Sequence, residues 1–131
     1  MAQHYARDLA RFETTTDQIN FSRWDKPYAV VSGARQELDA ARKRIAGIRV
    51  TIILWRHASF VPSTVLFDIF DVMMRATDTA GRLAMDECDP TVSKQLFDVA
   101  SSTAQTGAEL REVTRRQLES QEADLAQCQS K

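Results

Sequence analysis

The sequence contains two histidines and two cysteines, whose side chains can perform acid–base or nucleophilic chemistry: His4, His57, Cys88 and Cys128. Nucleophilic catalysis needs a nucleophile, a base and an orienting group gathered in one pocket. No spacing in the sequence brings these four together. His4 falls in a terminal turn, and His57 falls near a helix end, where a histidine commonly contacts terminal carbonyls. The sequence therefore favours a protein that is not an enzyme.

Motifs for metals and cofactors are also missing from the sequence. No Glu-x-x-His occurs for a di-iron bundle site, and no Cys-x-x-Cys-His occurs for haem attachment. The motifs do not exclude a haem held by methionine and histidine, but Met73, Met74 and Met85 occupy positions typical of core filler. We expect no metal and no cofactor. A carrier or sensor that holds a small apolar ligand or haem within the bundle stays open as the alternative function.

Arginine recurs every seven residues in one part of the chain, at Arg35, Arg42, Arg49 and Arg56. Arginines at this spacing cover an apolar helix seam with their stems and pair with acids on neighbouring helices. The acids expected to pair with them lie in the last helix: Glu109, Glu112, Glu119, Glu122 and Asp124. The alternative is that the stripe contacts an anionic partner. A formal net charge of -1 makes nucleic acid an unlikely partner.

The arginines flank an apolar seam around which the chain is organised. Its members recur at alternating steps of three and four: Val31, Ala34, Leu38, Ala41, Ile45, Ile48, Ile52 and Trp55. This spacing predicts a long helix packed lengthwise on other helices, because a β-strand has a period of two. The helix is expected to end near His57. Similar patterns predict further helices over about Gln3–Ile19, Ser63–Glu87 and Pro90–Gln127.

Short connections between these helices make neighbours antiparallel. We therefore predict an all-α fold in a single domain, residues 1–131. It is an antiparallel bundle of three long helices with a shorter N-terminal helix. Asp89 before Pro90 predicts the start of the last helix, and Ser22 or Asp25 is expected to cap the second. The small residues around Gly107 predict either a close approach of two helices or a bend, and we favour a continuous, kinked helix.

The connection between the first two helices is aromatic. Phe21, Trp24 and Tyr28 are expected to plug the adjacent end of the bundle, and the alternative is a small aromatic binding site. The other end, near the Pro62 turn, carries an excess of apolar residues. This candidate contact patch comprises Val50, Ile53, Leu54, Phe60, Phe67, Phe70 and Met74.

The expected function depends on what covers this apolar patch. The first helix is expected to cover only the amino-terminal half of the seam helix, so something else must cover the apolar end. The candidates are the end of the last helix, which overshoots from about Gln117, a second copy of the chain, or a partner or ligand. We expect a non-enzymatic interaction or assembly module that forms a homodimer through this end, with another protein partner as a further possibility.

The remaining expectations concern compartment and thiols. No stretch approaches the roughly 18 apolar residues of a membrane helix. The protein is cytoplasmic if Met1 is the native start, and periplasmic or secreted if the chain is a cloned mature domain. Cys88 and Cys128 are expected to be free thiols, because a continuous last helix holds them far beyond disulfide distance.

Overall fold

The computed structural model describes the backbone of residues 2–130 and the side chains of residues 4–129. Its α-helices are α1 (Ala2–Thr16), α2 (Tyr28–Trp55), α3 (Ser63–Asp86) and α4 (Pro90–Ser130). A 3-10 turn, Phe21–Arg23, lies between α1 and α2. The predicted all-α fold is confirmed, and the part of the chain described here contains no strand. The last helix passes through Gly107 without interruption.

Polar contacts between helices define the helix directions. Arg44 pairs with Asp71 at 3.1 Å, and Glu37, one heptad earlier in α2, pairs with Arg82 at the far end of α3. The two helices are therefore antiparallel. α1 packs against all the other helices, α3 packs most closely against α4, and α2 and α4 barely touch. These contacts define a four-helix bundle in which α1 and α3 lie across the shorter diagonal.

The core is apolar, and its α3–α4 side is built from small residues. Phe12 of α1 is fully buried in it, as are Met73 and Leu96. Thr77 of α3 and Thr103 of α4 share a hydrogen bond of 2.7 Å between their hydroxyls. Such short side chains let two helix backbones approach closely, which accounts for the tight packing of this pair.

One of the predicted helix starts is confirmed, and the predicted cap of another helix is not found. Asp89 Oδ1 accepts a hydrogen bond of 2.9 Å from the backbone N–H of Thr91, so the predicted start of α4 is confirmed. α2 begins directly after Pro27 without any side-chain cap. The prediction that Ser22 or Asp25 caps α2 is therefore wrong, because proline already sets the backbone angle that a helix start requires.

The aromatic connection closes one end of the bundle, as predicted for two of its three rings. Trp24 is buried, donates a hydrogen bond of 3.1 Å from Nε1 to Glu87, and packs against Phe21 with ring centroids 4.8 Å apart. Tyr28 is almost fully exposed, so the expectation that it also plugs the bundle is wrong. Tyr28 opens the first turn of α2 and points away from the core.

The position of α1 along the bundle differs from the sequence prediction. Thr16, its last residue, accepts a hydrogen bond of 2.8 Å from Arg42 in the middle of α2. Tyr5, near its start, lines a cavity together with Ile52 and Trp55 at the end of α2. α1 therefore covers the carboxyl-terminal half of α2, and the prediction of the opposite half is wrong. The reason is the connection over residues 17–27, which itself runs beside the first turns of α2.

Gly47 provides a stability test of the exposed face of α2. Nothing lies within 4 Å of a Cβ added there, and glycine in a helix interior costs about 1 kcal/mol relative to alanine. We expect Gly47→Ala to raise the free energy of unfolding by about 0.5–1 kcal/mol, as measured by urea denaturation. Gly107→Ala is the contrasting variant, because its Cβ would lie 3.2 Å from Met74 Sδ, so its gain is expected to be smaller. A loss of stability in Gly47→Ala would contradict the open helix face described here.

Candidate functional site

A groove of about 700 Å³ lies between α3 and α4 on the outside of the bundle. Phe67 and Phe70 line it from α3, and Ala108, Thr114 and Leu118 line it from α4. Phe67 and Leu118 are both exposed to solvent. Large apolar groups gathered in an exposed concave surface tend to mark contact sites, so the groove is the leading candidate for a docking surface.

Charged residues of α4 line the same groove. Arg115 pairs with both Glu112 and Glu119, and Arg116 also contacts Glu112, at 3.3 Å. The hydrogen bond from Arg115 lowers the pKa of Glu112 below its usual value. Arg111 forms no ion pair with any residue that the structure describes. One cation beside the aromatic rings therefore lacks a counter-charge within the described part of the chain.

α4 continues past the rest of the bundle. Gln117 is its last half-buried residue, and its side chain donates a hydrogen bond of 2.8 Å to the carbonyl of Val61. Every residue from 118 to 129 is exposed, including Leu118 and Leu125, which are one heptad apart. We call this segment, residues 118–130, the α4 extension. The overshoot predicted from about Gln117 is confirmed.

The structure divides the predicted apolar patch between different surfaces. Its exposed α2 members are Val50, Ile53 and Leu54, its exposed connection member is Phe60, and its α3 members are Phe67, Phe70 and Met74. Ile53 lies one turn after Arg49, which pairs with Glu13 of α1. This side of α2 therefore faces away from the α3–α4 groove. Two of the seven, Phe67 and Phe70, line that groove, and Met74 lies beside Gly107 of α4.

A second cavity, of about 290 Å³, lies at the bundle end where α2 stops and α3 begins, and we call it the end cavity. All four helices and the α2–α3 connection line it: Tyr5, Ile52, Trp55, Arg56, Ala58, Ser59, Val61, Leu66, Ile69, Val113 and Gln117. The Gln117 amide bridges the Val61 carbonyl and the Ser63 hydroxyl, so it holds the connection against α4. Sequence reasoning missed this cavity because Tyr5 has the spacing of an ordinary core residue.

Tyr5 is the buried titratable group of the end cavity, with 4% of its surface exposed. Burial of the phenol, and secondly the charge of Glu109, raise the pKa of Tyr5 from 10.0 to about 12. The folded protein therefore keeps this phenol protonated at a pH where the unfolded chain ionises it.

Because the pKa of Tyr5 is higher in the folded protein than in the unfolded chain, the free energy of unfolding falls as the pH rises past 10. The contribution of Tyr5 to stability is complete below pH 10 and is lost as the pH rises from 10 through about 12. We expect this loss to be about 1–3 kcal/mol in the free energy of unfolding. Urea denaturation between pH 8 and pH 11.5 measures it, with Tyr5→Phe as the control that lacks the titrating group. An equally steep decline in Tyr5→Phe would contradict the assignment.

A buried carboxylate links α1 to α4. Asp8 accepts hydrogen bonds from the Ser102 hydroxyl, at 2.9 Å, and from the Thr106 hydroxyl. It forms no ion pair with any described residue, so hydroxyl donors alone satisfy it. The sequence offered no signal for this contact, because the three residues are ordinary polar positions on amphipathic helices. The arrangement orients α1 against α4.

The arginine stripe of α2 faces α1. Arg42 pairs with Asp17 just after α1, and Arg49 pairs with Glu13 within it. The predicted pairing with acids is confirmed for these two arginines, but the prediction that the acids lie in the last helix is wrong. The physical reason is that α2 and α4 occupy opposite corners of the bundle. Arg42 also contacts the Glu13 carbonyl, where a cation stabilises the end of α1.

The two outer members of the stripe have different surroundings. Arg35 lies over the ring of Phe21, with 5.2 Å between its guanidinium carbon and the ring centroid. Arg56 lines the end cavity and forms no ion pair with any described residue. Of the four residues predicted as a possible anion contact, Arg56 is the one that lines the end cavity.

The two histidines and two cysteines are not assembled into a site in the described chain. Cys88 and Cys128 are exposed free thiols, as predicted. Cys88 Sγ contacts the backbone carbonyl of Arg23 at 3.6 Å, and neither cysteine hydrogen-bonds to a histidine in the described chain. Among residues 4–129, no three His, Cys, Asp or Glu side chains form a group able to hold a metal ion.

No family model, no curated protein and no solved structure matches this chain. Within residues 2–130, none of the helices combines the length and the apolar character needed to cross a membrane. The fold defines an antiparallel four-helix bundle, and two of its surfaces have unusual chemistry. These are the aromatic groove beside the α4 extension and the end cavity.

Proposed function

We propose that this protein is a non-enzymatic self-assembly module that forms a two-fold homodimer through the α3–α4 groove and the α4 extension. One observation supports the proposal: α4 contributes to two surfaces that both expose apolar side chains. The groove exposes Phe67 beside Phe70, and the extension leaves Leu118 partly exposed and Leu125 mostly exposed. The groove offers a concave aromatic surface, and the extension of a second copy offers leucines that can pack into it.

An antiparallel pairing of two α4 helices brings these surfaces together. With the two-fold axis near Leu118, that residue meets its own copy, and Leu125 of one copy lies near Arg111 and Thr114 of the other. Arg111 and Thr114 line the groove, so Leu125 approaches its aromatic wall. The same patch serves on both copies, as a two-fold interface requires.

Charge supports the same pairing. The α4 extension contains Glu119, Glu122 and Asp124 and no lysine or arginine. Glu122 and Asp124 form no ion pair within the described chain, and neither does Arg111 of the groove. The antiparallel alignment brings these acids close to Arg111 of the second copy. Exposed pairs of this kind add little affinity, but they select the orientation of the partner.

Two matched substitutions test the proposal. Phe67 and Ile53 are 52% and 53% exposed, but they lie on different surfaces. We expect Phe67→Glu to weaken the dimer about 100-fold or more, because it places a charge against an apolar interface, and Ile53→Glu to leave dimerisation unchanged. Sedimentation equilibrium measures the dissociation constants, and circular dichroism checks the fold of both variants.

The outcomes separate this interface from its alternatives. A wild-type chain that is monomeric at about 100 μM would remove self-assembly from the function. Dissociation by Ile53→Glu with no effect of Phe67→Glu would move the interface to the exposed strip of α2. Loss of the dimer in Phe67→Glu alone supports the groove.

A further inference from the structure

We infer that the end cavity binds a small aromatic carboxylate, with the ring between the helices and the carboxylate at Arg56. This site is separate from the groove, and the inference does not depend on the proposed dimer. Three properties of the cavity support it: its size and apolar walls, a phenol hydroxyl with no hydrogen-bond partner in the described chain, and a cation at its edge with no ion pair there.

The size and walls of the cavity suit one small ring. Its volume is about 290 Å³, roughly that of ten water molecules at about 30 Å³ each. Ile52, Leu66, Ile69 and Val113 form aliphatic walls, and Trp55 adds an aromatic one. This space lies at the small end of the range for ligand pockets. The walls are mostly hydrocarbon, so the cavity suits a small organic ring.

Tyr5 supplies a polar group that needs a partner. It lines the cavity, is 4% exposed, and its hydroxyl makes no hydrogen bond to any described residue. Solvent reaches this hydroxyl, so a ligand that displaces the solvent must supply an oxygen that accepts its proton. The phenol is protonated at neutral pH, so it acts there as a hydrogen-bond donor.

Arg56 and Glu109 together set the orientation of the ligand. Arg56 lies just after α2, at the edge of the cavity, and has no ion-pair partner in the described chain. The Glu109 carboxylate acts on the phenol of Tyr5 and therefore disfavours a second negative charge at that end. A bound molecule is thus expected to carry its carboxylate at Arg56 and a neutral acceptor, such as a hydroxyl, at Tyr5.

The probe that combines these groups is 4-hydroxybenzoate. We expect isothermal titration of the full chain to give a dissociation constant between about 10 μM and 1 mM, a range typical of such a small ligand. NMR spectra should show the indole N–H of Trp55 shifting on binding. The neutral analogue 4-hydroxybenzamide should bind about tenfold more weakly, since it lacks the charge that Arg56 selects.

Conservative variants assign the binding to this cavity. Tyr5→Phe keeps the ring and the fold but removes the donor, so it should weaken binding about fivefold. Arg56→Gln should weaken binding about tenfold. Arg11→Gln is the control, because Arg11 is exposed on α1 and does not line the cavity, and it should bind as the wild type does.

Further outcomes would overturn the inference. One is the absence of any heat or chemical-shift change at about 5 mM probe, a concentration well above the weakest expected constant. Another is binding that neither Tyr5→Phe nor Arg56→Gln affects. Val113→Trp, which fills the cavity, should abolish binding in a folded protein, and retained binding would place the ligand elsewhere. Should that variant fail to fold, Tyr5→Phe and Arg56→Gln still decide the question.

Discussion

Replacement of Phe12 by alanine is expected to lower the free energy of unfolding by about 3–5 kcal/mol. Phe12 has 0% of its surface exposed and lies in α1, which contacts each of the other three helices. Removing its ring leaves a void that the surrounding helices cannot fill without moving apart. A domain of this kind is stable by only about 5–15 kcal/mol, so one substitution removes a large share of the total.

Urea denaturation of Phe12→Ala beside Arg11→Ala measures this effect. Arg11 is the preceding residue and is exposed, so its replacement should change stability by no more than about 0.5 kcal/mol. The comparison tests whether α1 is docked against the core through Phe12. A Phe12→Ala variant as stable as Arg11→Ala would show that α1 does not dock in the core as described.

Deletion of residues 118–131 is expected to convert the proposed dimer into a stable monomer. The side chains from 118 to 129 are all exposed, so the deletion removes no core contact and should cost less than about 1 kcal/mol. Dimerisation makes Tm depend on protein concentration, so the wild-type Tm should rise with concentration while that of the deletion variant stays constant. Calorimetry at several concentrations measures both. A deletion variant that remains dimeric would exclude the α4 extension from the interface.

Cysteine cross-linking tests the direction of the pairing. Both native cysteines, Cys88 and Cys128, are first replaced by serine. Leu118→Cys should then form a disulfide between copies under mild oxidation, because the two residues meet at the two-fold axis. Leu125→Cys is the matched control, since its two copies lie about 20 Å apart in an antiparallel pair. A Leu125→Cys disulfide would indicate parallel helices and contradict the arrangement.

The hydrophobic period of the sequence determined the elements of this protein. The seam from Val31 to Trp55 predicts α2, and the Asp89-Pro90 pair predicts where α4 begins. Comparison of helix lengths also predicts that α4 overshoots the bundle. These features are local, because they depend on which residues follow one another within a few turns.

Only the tertiary structure decided which faces of the helices meet. The sequence grouped Ile53 with Phe67 because both lie near the same end, but each helix turns about its own axis to bury its own seam. That rotation places Ile53 on the side of α2 that carries Arg49, and it places Phe67 beside α4. The position of α1 along the bundle likewise depends on the path of residues 17–27, and the hydrophobic period of the sequence does not predict that path. This position of α1 creates the end cavity, because it brings Tyr5 close to Trp55 and Arg56.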